Sequence, residues 1–131
     1  EPERVYQDYL TLRRMHAGQD AKILILQRLV AQCTNNWRVV GITSKALDAF
    51  AASDFKPISR SGIQRAHIVD RHQTFRQLIE REFVQNEFWA HISENDKTIL
   101  SVKGEYNNLA SINWISLPDQ GLFPNTSNHI Y

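Results

Sequence analysis

The stretch GIQRAHIVDR, from Gly62 to Arg71, sets His67 between Arg65 on one side and Asp70 and Arg71 on the other. A strand that only fills a core has little use for this many ionisable groups in so short a run, so the segment reads as one that presents a histidine. Imidazole exchanges a proton near neutral pH, which makes His67 a candidate general base. The ordinary alternative is a half-buried histidine hydrogen-bonded to a neighbour. Local charge adds a second signal. Between positions 56 and 81, Lys56, Arg60, Arg65, Arg71, Arg76 and Arg81 are opposed only by Asp70 and Glu80. Gathered on one face, such a segment draws phosphates; spread out, it is a solvated surface.

The elements that must position these groups follow from hydrophobic spacing. Val5, Tyr9 and Leu12 recur at helical intervals from Glu3 to about Met15, and HAGQD ends that helix. Asp20 is placed to cap the next one, from Ala21 to Cys33. That segment is apolar at Ile23, Leu24, Ile25, Leu26, Leu29 and Val30, a face broad enough to predict a central core helix. NNWRVVGIT reads as a turn and a brief extended piece. Thr43 then caps a helix over Ser44 to Ala52, with Ile42 and Leu47 at the spacing of a hydrophobic staple. SDFKPISRSG breaks the chain before the strand IQRAHIV. Phe75, Leu78, Ile79 and Phe83 predict a helix from Arg71 to about Glu82, with Asp70 as its N-cap, and Phe88, Trp89 and Ile92 a short second one. TILSV and INWISL are extended, separated by the polar KGEYNNLAS. PDQGLFPNTSN is loop. Trp37, Trp89 and Trp114 are read as core, with base stacking the lesser option.

A strand bearing His67, a connection, the strand TILSV, and then a polar element bearing Asn107 and Asn108 resembles the ββα-metal core of the HNH, or His-Me finger, nucleases. RAHIVDR is similar to the first strand of that family and TILSVKGEYNN to its second strand with the asparagine beyond it. The resemblance covers Gly62 to Leu117, with about two short helices inserted between the strands. It implies an α+β fold in which a helical half (1–53) packs on a ββα-metal-like core (62–117) with short antiparallel strands. It also implies a metal-dependent DNA endonuclease. His67 would be the base that deprotonates a water, and Asn108, Asn107 and Asp70 would be the ligands of Mg²⁺ or Mn²⁺, a hard cation that takes oxygen donors. Arg65 or Arg71 would clamp the phosphate, and Lys56, Arg60, Arg76 and Arg81 would contact the nucleic acid. His129 is the one histidine beyond the asparagines. The competing acid-x-Lys nuclease core finds Ser101 where its acid belongs before Lys103, and ranks lower.

Plainer roles accompany these: Asp70 as a helix cap, Asn107 and Asn108 as turn residues, and His16, His72 and His91 as surface histidines. With 131 residues, one domain is the expectation, residues 118–131 forming a terminal loop and strand. Fifteen Lys and Arg balance fourteen Asp and Glu, a net charge of +1, so no global field selects a partner. The single cysteine, Cys33, can form no internal disulfide and suits a reducing cytoplasm. No run of about 18 apolar residues offers a membrane span, and EPERVYQ lacks a signal-peptide pattern. The β-like ending NHIY reads as unfinished, so further elements are expected beyond Tyr131. A symmetric homodimer would suit palindromic cutting. Two other classes stay open: a non-catalytic helix-turn-helix module built from the second and third helices, and a regulatory or interaction domain without nucleic acid.

Overall fold

A computed structural model describes residues 1–33, 38–54, 62–105 and 113–117. The fold is α+β. Its elements are α1 (Pro2–Arg14), α2 (Gln19–Ala31), β1 (Arg38–Ile42), α3 (Ser44–Ala52), β2 (Ile63–His67), α4 (Arg71–Glu80), α5 (Gln85–Asn95), β3 (Lys97–Val102) and β4 (Ile115–Ser116). They form two compact units that interleave along the chain. One comprises Glu1–Trp37 with Val69–Asp96, the other Arg38–Ile68 with Lys97–Tyr131. The division differs from the one expected from sequence, a helical half followed by a core. Helices α4 and α5 lie between two paired strands in the chain but share the core of α1 and α2.

The helical unit is built on the face that the spacing predicts. Val5, Tyr9 and Leu12 of α1 are buried with Ile23, Leu26 and Val30 of α2, Phe75 and Leu78 of α4, and Phe88 and Ile92 of α5. Pro2 stands at the start of α1, where its missing N–H costs nothing. Helix α2 begins one residue before Asp20, with Gly18 at its N-cap. Asp20 therefore sits inside the first turn, where its charge favours the helix dipole without capping. Lys22 Nζ donates to Arg13 O (2.8 Å) and ties the end of α1 to α2. Cys33 is a buried free thiol, and burial pushes its pKa up, keeping it neutral.

Two tyrosines of α1 hold the connection between α4 and α5. The Tyr9 hydroxyl shares its proton between Leu78 O (2.9 Å) and Arg81 O (3.1 Å) and accepts from Phe83 N (3.0 Å). Tyr6 donates to Phe83 O (2.9 Å). A helix C-terminus leaves carbonyls without intrahelical partners, and here a phenol from another helix satisfies them. The rings also pack, with the Tyr9 and Phe88 centroids 4.5 Å apart. Trp89 packs edge-on against Phe88, as expected of a core residue.

In the other unit the sheet order is β2-β3-β1-β4. Strand β1 pairs parallel with β3, while β2 with β3 and β4 with β1 are antiparallel. Thr43 Oγ1 accepts from Ala46 N (3.2 Å), so the expected cap of α3 forms. Ala46 and Phe50 of α3 pack on Ile42 and Leu100, with Val39, Leu47, Ile63 and Val102 around them. Val39 and Ile42 are three apart and in a regular strand would face opposite sides. A register shift between Val39 and Gly41 lets both face α3, as a bulge does. Gly41 has a steric role, since a Cβ there would come within 2.2 Å of the Trp114 ring. Trp114 therefore lies on the β1 backbone, and it remains 36% exposed, so it is not the core residue expected. Trp37 lies outside the described residues.

Two outcomes follow from this packing. Gly41→Ala should push the Trp114 ring off β1, moving its indole N–H resonance and lowering stability by about 1–3 kcal/mol in denaturant titration. Tyr9→Phe leaves buried backbone groups of the α4–α5 connection unsatisfied, and should cost about 1–3 kcal/mol. Burial raises the Tyr9 pKa above its ordinary value of 10.0, outweighing the opposing bond from Phe83 and the nearby Arg13. The neutral phenol is the stabilised form, so its contribution is full below about pH 10 and is lost as the pH rises through the higher folded value. Wild-type stability should fall more steeply than that of Tyr9→Phe in that alkaline range.

Candidate functional site

Strand β2 carries the two residues that drew attention in the sequence. Its register with β3 sets Ile63 opposite Val102, Arg65 opposite Leu100 and His67 opposite Thr98. Because side chains alternate along a strand, these three pairs share one face of the sheet. It is the face that carries Ile63, Leu100 and Val102 to Phe50 and Ala46 of α3. Arg65 and His67 are half-buried, and His67 ends the strand. Half-burial is compatible with an ordinary hydrogen-bonded histidine and with a base, although the Nε2 atom itself is buried.

Beyond His67 the chain leaves the sheet. Ile68 N donates to Lys97 O (3.0 Å), the last backbone bond between the two strands before residues 69–96 depart. At the base of this excursion Arg71 faces Asp96. Nε lies 3.2 Å from Oδ1 and Nη2 3.5 Å from Oδ2, with the Asp96 side chain 1% exposed and that of Arg71 20%. The Arg71 guanidinium also lies 5.1 Å from the centre of the Phe75 ring. Arg71 is thus engaged in a two-point pair that joins the start of α4 to the residue after α5. This is a positioning role, and the phosphate clamp expected for it would have to be played from within that pair. Nothing local in the sequence marks Asp96 as its partner, since the two are 25 residues apart.

Asp70 takes the plainer of its two expected roles. Its carboxylate accepts from His72 N (3.0 Å) and caps α4 from an exposed position in the helical unit. Arg76 is exposed on α4 with Nη2 3.3 Å from His72 Nδ1, and His72 Nε2 lies 3.5 Å from Asp20. Arg81 lies over the Phe83 ring at 3.7 Å. His91 Nε2 donates to Thr74 O (3.0 Å), and His16 is exposed. The arginines of the basic run are accordingly divided. Arg65 belongs to the sheet unit and Arg71, Arg76 and Arg81 to the helical one. Lys56, Arg60, Asn107, Asn108 and His129 lie outside the described residues.

One group that the sequence reading passed over is Glu105. A turn from Val102 to Glu105 closes with Glu105 N donating to Val102 O (3.0 Å), and Gly104 takes the positive φ of +76° that a side chain would strain. Glu105 Oε2 then accepts from Thr43 Oγ1 (2.9 Å) and Val102 N (2.9 Å). A carboxylate fastened to the cap of α3 fixes where the chain sets out towards Asn107. Glycine before an acid at the end of a strand was the available signal.

Two clefts open on the helical unit. One of about 380 Å³ is lined by Gln77, Glu80, Arg81, Phe83 and His91. The other, about 320 Å³, is lined by Asp70, His72, Gln73, Arg76, Gln77 and Glu80. His67 lines neither. Among the described residues, no three His, Cys, Asp or Glu side chains gather as a metal site would require, and no helix is long and apolar enough to cross a membrane. Comparison with protein-family models, with curated proteins and with solved structures finds no match.

The Arg71–Asp96 pair is open to measurement. Removing one member of a buried pair strands the other charge, so Arg71→Ala or Asp96→Ala should each lower stability by about 3–5 kcal/mol in urea unfolding. If Arg71 instead serves chiefly to hold phosphate, its removal will leave the unfolding midpoint near that of the wild type.

Proposed function

We propose that this chain is a divalent-metal-dependent DNA endonuclease in which His67 is the general base. The observation that carries the reading is the placement of His67. It ends one strand of an antiparallel pair whose other strand, β3, leads through the Glu105 turn to Asn107 and Asn108. In this scheme the imidazole takes a proton from water, and a Mg²⁺ or Mn²⁺ ion held by Asn108 or Asn107 supplies Lewis acidity at the phosphate. Arg65, on the same sheet face as His67, is a candidate to hold the phosphate. Asp70 caps α4 with one carboxylate oxygen, a role that leaves it a candidate ligand. Lys56, Arg60, Arg76 and Arg81 are the candidate contacts to the nucleic-acid backbone. Glu105 anchors the start of the ligand-bearing segment. The scheme requires the chain after Glu105 to turn back along β3 towards the end occupied by His67. A cytoplasmic setting agrees with the lone buried thiol of Cys33.

The rival helix-turn-helix reading has less support. Strand β1 stands between α2 and α3 in the chain, and the two helices belong to different units, unlike the short turn of that motif.

Nicking of supercoiled plasmid DNA with Mg²⁺ or Mn²⁺ tests the proposal. His67→Ala should lower the cleavage rate about 10²–10⁴-fold while DNA binding and the unfolding midpoint are kept. Equal cleavage by both proteins would remove His67 from the role of base. Salt-sensitive binding without cleavage by either would favour a binding module, and no binding at all an interaction domain.

A further inference from the structure

Helix α2 is apolar on more sides than its own unit uses. Ile23, Leu26 and Val30 are buried to within 1% of completely, yet Leu24 is 61% exposed and Ile25 42%. With 100° between successive residues, Ala21, Leu24, Ile25 and Arg28 fall on one stripe opposite the buried one. All four are exposed. Asp20 flanks the N-terminal end of this stripe beside Leu24; its side chain is 88% exposed, with one carboxylate oxygen 3.5 Å from His72 Nε2. The stripe thus runs from an acid, through two exposed aliphatic side chains, to a base.

That order is complementary to its own reverse. We infer that the outer face of α2 is a homodimer surface, on which a second copy of this chain lays its α2 antiparallel. A two-fold axis beside Leu24 and Ile25 brings Leu24 over Ile25 of the second copy. It also sets Asp20 beside Arg28 of the second copy, and the reverse pair forms by symmetry, as an isologous contact requires. A parallel arrangement would instead set Asp20 near Asp20 and Arg28 near Arg28. Charge therefore selects the antiparallel partner, and the small side chain of Ala21 allows close approach. A helix of this length spans about 20 Å. One face of it covers less than the roughly 800 Å² per partner of a stable interface, so association depends on concentration.

Sedimentation velocity of the full chain, from micromolar concentrations upward, should show mass moving from monomer to dimer. Leu24→Lys, checked for folding by circular dichroism, and Arg28→Asp should each raise the dissociation constant about tenfold or more. Asp20→Arg combined with Arg28→Asp in one chain should restore dimerisation, because each exchanged charge meets its exchanged partner. If Leu24→Lys fails to fold, the charge exchange decides alone. A wild type that stays monomeric throughout overturns the inference, whether the stripe is then covered by another segment of this protein or by a different one. So does a dimer indifferent to Leu24→Lys, or a double exchange that fails to restore it.

Discussion

Strands β2 and β3 can pair only if Ile68 and Lys97 are brought side by side, although residues 69–96 lie between them. Closing a loop of that length costs about 2 kcal/mol more than closing a tight turn. That sum is comparable with the burial of one large apolar side chain, and the excursion buries Phe75, Leu78, Phe88 and Ile92 completely. Within the excursion the Arg71–Asp96 pair ties the start of α4 to the residue after α5, and on the sheet side the Ile68–Lys97 backbone bond closes the ladder that sets His67 opposite Thr98.

Polar groups do much of the fixing within each unit, and each does so because a backbone group would otherwise be left bare. The Tyr9 and Tyr6 hydroxyls reach from α1 to the end of α4 and the start of the next connection. Thr43 caps α3 and donates to Glu105, which in turn takes the Val102 amide. A buried hydroxyl or carboxylate with two partners is retained where a hydrophobic side chain of similar volume would pack but could not specify a turn.

These ties give the proposed chemistry a particular shape. A general base needs an imidazole held at a constant depth, neither fully sealed nor free to swing. Strand β2 ends at His67 on the face that packs on α3, where the residue is half-buried and its Nε2 atom is buried. A hard cation needs oxygen donors brought to one point, and a segment that starts from an anchored Glu105 has a defined origin. In this scheme the basic residues of α4 and beyond contribute nothing to proton transfer. They act as charges on the helical unit, where their worth to a nucleic acid is set by ionic strength.

Most of the secondary structure was legible in the sequence, because periodicity and caps are local. The spacing of Val5, Tyr9 and Leu12, Thr43 before its helix, Asp70 before α4 and the alternation of IQRAH all reappear as elements. The strand that carries His67 was legible for the same reason. What the sequence alone left undecided depended on groups far apart in the chain. The core shared by α1, α2, α4 and α5, the pairing of Arg71 with Asp96, the anchoring of Glu105 and the seat of Trp114 on Gly41 have no spacing rule to announce them. The breadth of the apolar face on α2 predicted a central core helix, whereas the folded unit buries one side and leaves Leu24 and Ile25 exposed. Hydrophobic patterning records which side chains avoid water; only the packed chain decides which neighbours they meet.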